Sequence, residues 1–333
     1  MTRPALRPSI WLVALKIALP ALVLWLLTRK VDWSSFAEIM SRMNLGVIAI
    51  AIALITVQNI LAGLRWWYVT IRLPNNQLSF WMALRYLYVS VFINQALPSS
   101  VGGDAVRIWL SYNSGVPIGN SVKSVLIDRI LTMFGLMLLI VGALPVMERA
   151  IPAAPGKLLF VVILPLIAAG FLALYLARFL APYAQWPGRL GRLLGFLLGV
   201  RTFLLSMRNI LPPTLSAMVG FTMMTLIVYI FARGLNIELP LLDCFVLCPP
   251  IFLLAALPIS IAGWGVRESG MVVALGYAGV TPEAALVLSV VLGMTVLVGS
   301  LPGLFFMMRL FPDRAARAGG VAAVDDIKDR LHQ

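Results

Sequence analysis

The chain has 333 residues, of which 61% are hydrophobic and only 12% are charged. Globular domains carry about 25% charged residues, so this composition excludes most soluble folds and predicts a protein with several membrane spans. The formal net charge is +13. The basic residues stand mostly between apolar runs, where they orient spans, so no nucleic-acid partner is expected. The single histidine, His332, lies next to the C-terminus, which excludes histidine-based triads and metal sites; we expect neither a metal nor a cofactor.

The first quarter of the chain predicts two spans. Residues 10–27 form an apolar run that is longer than a usual signal-peptide core and has no A-x-A site after it, which favours a retained span. Residues 31–44 are polar and predict a short interfacial helix. A second span is expected over 45–64, closed by Arg65-Trp66-Trp67-Tyr68, a combination that is typical of a membrane interface.

An interrupted apolar segment comes next. Residues 80–97 are apolar but are followed by Pro98-Ser99-Ser100-Val101-Gly102-Gly103-Asp104. A proline and two glycines within this stretch break any helix. Irregular backbone at membrane depth survives only where protein covers it or where it lines a cavity. We therefore expect a dip into the membrane here.

The middle of the chain predicts three further spans, over 121–144, 158–177 and 214–232. Between the last two lies a loop over 178–212, which we interpret as a basic surface segment. It carries five arginines: Arg178, Arg189, Arg192, Arg201 and Arg208.

A second interrupted segment precedes the last span. Residues 239–257 are apolar but split by Pro249-Pro250, and residues 258–265 form another break before a short apolar piece over 266–279. The last long span is expected over 284–308, followed by a polar tail. We divide the chain into a membrane domain over 1–312 and a polar tail over 313–333.

The two breaks form an internal repeat. Residues 97–107 read LPSSVGGDAVR and residues 257–267 read LPISIAGWGVR, with six identities in eleven positions. Each copy is followed by a Gly-Val pair near a proline, at Gly115-Val116-Pro117 and at Gly279-Val280-Thr281-Pro282. Repeats with broken helices at matching positions are typical of transporter-like cores.

The basic residues favour an inverted repeat. If the N-terminus is cytoplasmic and the dips over 80–110 and 241–265 return to the side they enter from, every strong basic cluster lies in the cytoplasm. The predicted fold is an all-α polytopic membrane protein with six full spans and two re-entrant helical hairpins related by inversion. Both termini are then cytoplasmic.

Charged residues follow the first break. Gly103 precedes Asp104, which we interpret as the cap of a helix N-terminus, and Arg107 lies one turn inside that helix. Exposed N–H groups and the helix dipole favour phosphate at such an end, and the planar fork of arginine suits phosphate oxygens.

The second break predicts the same chemistry. Gly263 is expected to open the matching helix, with Arg267 and Glu268 close behind it. If the hairpins meet at the midplane, the two anion sites face one another. The competing interpretation is that each arginine pairs with its neighbouring acid and locks its hairpin. The Asp128-Arg129 pair, beside Lys123, is either a buried ion pair or a wall of the same cavity.

Three motifs resemble a known family. LPSSVGGDAVR, the later VLIDRI at 125–130 and LPISIAGWGVRES are similar to the transmembrane region of bacterial lysylphosphatidylglycerol synthases and their stand-alone, flippase-like relatives. Asp104 departs from the glutamate that is usual there. On this resemblance the residues expected to bind a lipid headgroup are Gly103, Asp104, Arg107, Asp128, Arg129, Gly263, Arg267 and Glu268.

The resemblance implies a multi-pass inner-membrane protein that moves a phospholipid or a lipid-linked group between leaflets. It also implies a stand-alone member without the soluble domain that aminoacylates the lipid. The expected partners are that lipid and anionic membrane lipids. Two alternatives stay open: an accessory subunit that binds a pathway enzyme through its basic loop, and an intramembrane transferase with Asp104 or Glu268 as general base.

Overall fold

A computed structural model describes residues 44–96, 102–150, 156–256 and 265–310, together with Glu38 and Ser41. The predicted span over 10–27, most of the interfacial helix, most of both breaks and the polar tail lie outside these residues. Every regular element within the described ranges is helical, which confirms the predicted all-α class.

Eleven α-helices and two short 3₁₀ turns make up the described part of the chain. In order they are α1 Leu45–Ile71, α2 Phe80–Ala96, α3 Gly102–Asn113, α4 Ile118–Ala150, α5 Gly156–Leu176, the turns Ala177–Leu180 and Pro182–Gln185, α6 Arg189–Leu204, α7 Met207–Gly234, α8 Leu241–Ala256, α9 Val266–Gly276, α10 Pro282–Ser300 and α11 Pro302–Leu310.

Five helical segments of the described residues are long and apolar enough to cross a membrane. They are Leu45–Ile71, Ile118–Val146, Val162–Leu180, Met207–Gly234 and Pro282–Leu310. Each one contains or overlaps a span that the sequence predicts, so the interpretation as a polytopic membrane protein is confirmed. The sixth predicted span, over 10–27, lies outside the described residues.

Two expectations about irregular segments are wrong. The predicted basic loop is largely helical, because α6 and the two 3₁₀ turns occupy most of it and α7 already begins at Met207. Pro249 and Pro250 do not split α8, which runs through both. Prolines are tolerated in membrane helices because neighbouring helices and local adjustments satisfy the freed carbonyl groups. Here α8 packs against α4, α7 and α9.

The packing of the helices is itself repeated. Helices α1 to α4 correspond in order to α7 to α10, and each contact in one half has a counterpart in the other. α1 packs on α2 as α7 packs on α8; α2 packs on α3 as α8 packs on α9; α3 packs on α4 as α9 packs on α10. Across the halves, α4 packs on α8 as α10 packs on α2, and α4 packs on α7 as α10 packs on α1. The internal repeat therefore extends from the motifs to four helices.

The equivalent helices α1 and α7 run antiparallel and in close contact. At one end the Tyr68 hydroxyl donates to the Arg208 carbonyl at 2.8 Å. In the middle, Ser216 Oγ donates to the Leu61 carbonyl at 3.2 Å. At the other end Gly234 lies against Val47.

The first helix pair returns toward the level at which it starts. The Tyr86 hydroxyl, two turns into α2, hydrogen-bonds the Ser114 hydroxyl just beyond the end of α3. Asn120 lies at the start of α4, and its side chain donates at 2.7 Å to the carbonyl of Pro74, a residue in the segment between α1 and α2. Helix α3, Gly102–Asn113, is about 18 Å long at about 1.5 Å per residue, too short to cross a bilayer core of roughly 30 Å.

Both short helices end in the same way. After α3, Gly115 has φ +93° and the Val116 N–H donates to the Ser111 carbonyl at 3.2 Å. After α9, Gly279 has φ +78° and the Val280 N–H donates to the Leu275 carbonyl at 3.1 Å. This is the glycine-dependent C-terminal cap, and it explains why each motif copy is followed by a Gly-Val pair.

The two halves begin their long helices at opposite ends of the bundle. Helix α4 begins beside the segment that follows α1. Helix α11, which continues α10, ends in the core cluster that contains Trp66, Leu78 and Leu110, so α10 begins at the far end. We call the end where α1 finishes and α4 begins the basic end. The structure places a set of basic side chains there: Arg65, Arg72, Lys123, Arg208 and Arg309.

Candidate functional site

Five charged side chains from three helices form the first charged cluster. Arg65 comes from α1, Asp104 and Arg107 from α3, and Asp128 and Arg129 from α4. Arg107 Nη1 donates to Asp128 Oδ2 at 3.0 Å, and its Nη2 donates to Asp104 Oδ1 at 3.2 Å. Arg65 Nε donates to the second Asp128 oxygen at 2.8 Å, and Arg129 Nε to the second Asp104 oxygen at 2.6 Å. Three arginines against two aspartates give this cluster a formal charge of +1.

Arg107 is the centre of the cluster and is 3% exposed. Its guanidinium lies 4.8 Å from the centre of the Trp66 ring, within the range of a cation–π contact. The Trp66 indole N–H in turn donates to Ser124 Oγ at 3.1 Å. Within the part of the chain that the structure describes, Arg107 Nε is a buried donor without a hydrogen-bond partner. Buried donors are rarely left unsatisfied, so this atom marks a place where the site has unused capacity for an acceptor.

Close contact between α2 and α3 positions Arg107. The Gly103 N–H donates to Asn94 Oδ1 at 2.8 Å. A Cβ on Gly103 would lie 2.1 Å from the Ser90 carbonyl oxygen, a distance that no side chain allows. Gly103 is therefore required for this approach, and it fixes the helix that carries both Asp104 and Arg107.

Asp104 does not cap its helix, contrary to expectation. It lies in the first turn of α3, which begins at Gly102, and its two carboxylate oxygens bind Arg107 and Arg129. The carboxylate therefore neutralises charge inside the cluster, while the Asn94 side chain accepts from the helix N-terminus in its place.

The second charged cluster is smaller and neutral. Arg267 Nη2 donates to Glu268 Oε1 at 2.7 Å, and Arg267 Nε lies 3.1 Å from Ser289 Oγ on α10. The Ser289 hydroxyl donates to Glu268 Oε1 at 3.0 Å, and the Gly265 N–H donates to Glu268 Oε2. Glu268 is completely buried. The N-cap of α9 is Gly265 with φ +81°, not the expected Gly263, which lies outside the described residues.

The two clusters lie nearer to opposite ends of the bundle and share no helix. Asp128 lies about 15 Å along α4 from its first residue, which is at the basic end. Ser289 lies about 10 Å along α10 from its first residue, which is at the far end. Arg107 and Arg267 therefore lie at different depths along the bundle. In this packing they do not face one another in one cavity, contrary to the expectation from the sequence.

The ion-pairing alternative accounts for part of the geometry. Both arginines pair with the acids named for that role, Asp104 and Glu268, and Asp128 is a buried partner of Arg107. Arg129 differs, because its side chain is 36% exposed while its Nε holds Asp104. It forms the accessible rim of the first cluster.

Sequence reasoning missed four residues of these clusters: Arg65, Trp66, Asn94 and Ser289. The sequence predicts that Arg65 and Trp66 mark a membrane interface, since an arginine beside aromatics is typical of that position. Asn94 had a usable signal, because an amide within an apolar run needs a buried partner. Ser289 had none, because serine is common in membrane helices.

These observations define a class: a helical membrane protein with a repeated, tightly packed core that buries arginines on short helices. Comparison with known families then places it. The family described as Lysylphosphatidylglycerol synthase TM region matches residues 11–303, so the chain belongs to that family, as the motifs indicated. No curated protein matches the sequence at a significant level.

Proposed function

We propose that the protein is a flippase-like translocase that moves a phospholipid or a lipid-linked polar group between the leaflets of the bacterial inner membrane. The single observation that carries the proposal is Arg107, a buried guanidinium whose donor Nε has no acceptor among the described residues. A charged side chain at membrane depth marks a functional site by default.

The chemistry of the first cluster favours a phosphate. Guanidinium groups bind phosphate oxygens through a planar pair of donors. Arg65 and Arg107 are held in place by Asp128, so they need not be ordered when a ligand arrives. Arg129 at the rim is the side chain that a headgroup meets first. The chain belongs to a family whose description names a lipid synthase, and this supports a lipid as the ligand.

The repeat supports movement between leaflets. We infer that α2–α3 and α8–α9 are re-entrant hairpins and that the repeat is inverted, because the equivalent helices α1 and α7 run antiparallel. Together with the predicted span over 10–27, this gives six spans. One charged cluster then binds a headgroup from each leaflet, and the headgroup moves between these two polar sites at different depths.

The basic end is assigned to the cytoplasm by the positive-inside rule. Both termini are then cytoplasmic, and the Arg107 cluster serves the cytoplasmic leaflet. Anionic lipids of that leaflet are the expected partners of the basic helix α6 and the turns before it.

The proposal is tested in vesicles that contain the purified protein and a headgroup-labelled anionic phospholipid. Protection of the label from an impermeant quencher measures its movement. We expect Arg267→Ala and Arg129→Gln each to abolish the movement or slow it strongly. The matched control is Arg233→Gln, which removes an exposed arginine from the last turn of α7, outside both clusters.

Wild-type rates in Arg129→Gln and Arg267→Ala, both correctly folded, would contradict the proposed site. Movement that is absent even in the wild-type protein, with a change of mass in the incubated lipids, would favour the transferase. Unchanged lipids without movement would favour the accessory-subunit role. In that case the exposed face of the basic segment, which carries Phe179, Trp186 and Leu193, would be the surface for the pathway enzyme.

A further inference from the structure

A long apolar groove lies between α4 and α5. Its volume is about 440 Å³. Its walls are apolar side chains on one face of each helix, among them Ile130, Phe134 and Met137 on α4 and Leu166 and Phe171 on α5. The segment Val162–Leu180, most of which belongs to α5, is the least buried of the five described spanning segments, with 6% of its apolar stretch buried. The groove therefore separates a loosely attached helix from the core.

The groove begins beside the first charged cluster. Arg129 lies four residues before the groove residue Met133, so these two side chains share one face of α4. At the same end, Arg201 donates from Nε to the carbonyl of the groove residue Leu174 at 2.8 Å. From there the groove runs along α4 toward Met137, away from the basic end. It is cationic at one end and apolar along its length.

We propose that this groove is the acyl-chain subsite for an anionic phospholipid whose phosphate lies at Arg129. The inference rests on the translocase proposal and adds where the tail of the cargo lies. A lipid of the leaflet at the basic end has its headgroup toward that end and its chain toward the middle of the membrane, and the groove has this polarity. Two methionines, Met133 and Met137, line it, and flexible thioether side chains adapt to chains of different shape.

A glycine in the groove allows a clean test. Gly170 lines the groove, and a Cβ built on it would meet no atom within 4 Å. Gly170→Phe therefore fills the groove without a backbone clash. Gly142 offers a matched control, since it lines a separate apolar cavity between α4, α7 and α8 and also has open space at its Cβ. Gly142→Phe adds the same ring elsewhere in the membrane region.

The experiment uses the full chain in zwitterionic vesicles with a trace of phosphatidylglycerol that carries a photoreactive group near the end of one acyl chain. We expect crosslinks on residues 130–137 of α4 and 166–174 of α5. They should be lost in Gly170→Phe, retained in Gly142→Phe, and competed by unlabelled phosphatidylglycerol but not by inorganic phosphate or a free fatty acid. Arg129→Gln should weaken them.

Crosslinks spread evenly over all lipid-facing helices and unchanged in Gly170→Phe would overturn the inference, because they would report ordinary surrounding lipid. Competition by a free fatty acid would also overturn it, since the phosphate would then contribute nothing. Movement of the headgroup label in the same vesicles separates the two proposals. Transport without groove crosslinks refutes the groove alone, and groove crosslinks without transport refute the translocase alone.

Discussion

Asp128 joins two arginines from two other helices, and this makes it the most constrained side chain of the first cluster. It accepts from Arg65 on α1 and from Arg107 on α3, and it is buried. Removing one partner of a buried ion pair costs more than the pair contributes, because the remaining charge keeps its desolvation penalty. The carboxylate therefore contributes both to the packing of three helices and to the placement of the proposed phosphate site.

We expect Asp128→Asn to destabilise the protein by about 3–5 kcal/mol, since two buried guanidinium groups lose their shared counter-charge. Thermal unfolding in detergent measures the change. Asp243→Asn is the control, because Asp243 lies in the first turn of α8 outside both clusters, and its melting temperature should stay within a few degrees of wild type. Equal shifts for the two variants would show that Asp128 has no special role in stability.

The sequence identified most charged members of these clusters, and its ion-pairing alternative named the pairs Arg107–Asp104 and Arg267–Glu268. These four residues stand out because charges beside helix breaks in an apolar chain are rare. The partners on other helices come from α1, α4 and α10, and the sequence contains no sign of which helix faces which. The sequence predicts Asp104 as the helix cap, yet Asn94 accepts from the Gly103 N–H. An amide from a neighbouring helix can replace a local cap only once the tertiary packing is known.

At the scale of helices, close backbone contact depends on single glycines. Gly103→Ala places a Cβ on the Ser90 carbonyl oxygen, so α2 and α3 must separate. We expect the free energy of unfolding to fall by about 1–3 kcal/mol. We also expect slower lipid transport, since Arg107 moves with α3. The melting temperature and the transport rate are measured together.

Gly142→Ala is the control for this prediction. Its Cβ meets open space, and alanine is favoured over glycine inside a helix by about 0.5–1 kcal/mol. The same substitution is therefore expected to lower the stability of the protein at Gly103 and to raise it at Gly142. If both variants gain stability, the close approach of α2 and α3 is not required.

The two glycine caps make a paired prediction across the repeat. Gly115 and Gly279 both have positive φ, where a Cβ costs about 1–2 kcal/mol. We expect Gly115→Ala and Gly279→Ala to lower the melting temperature by similar amounts. Gly119→Ala and Gly276→Ala, which have open space and ordinary φ, serve as controls. A loss at one cap alone would mean that the two short helices are not equivalent in stability.

The limits of sequence reasoning at this scale came from proline and arginine. Pro249 and Pro250 predicted a break in α8, but packing on three helices maintains the helix through both. Five arginines in 178–212 predicted a loop, yet α6 forms there because Leu194, Val200 and Leu204 bury one of its faces. Local propensity gave the wrong answer in both cases because tertiary contacts decided the structure.

At the scale of the whole molecule, the repeat organises the fold. The sequence motif covers eleven residues, while the matching of helix contacts extends over α1–α4 and α7–α10. The sequence indicated the inversion only through the distribution of basic residues. The antiparallel contact between α1 and α7 supports the same conclusion through geometry. A protein built this way offers a similar helix arrangement to each side of the membrane.

An inverted repeat makes a definite prediction about sidedness. Asn113 and Tyr277 are exposed residues that lie two positions before the equivalent glycines Gly115 and Gly279. In a background with Cys244→Ala and Cys248→Ala, both buried positions, a single cysteine is introduced as Asn113→Cys or Tyr277→Cys. An impermeant maleimide should label the first only from the cytoplasmic side and the second only from the opposite side. Labelling of both from one side would require the two helix pairs to point the same way, and the two charged clusters would then no longer serve opposite leaflets.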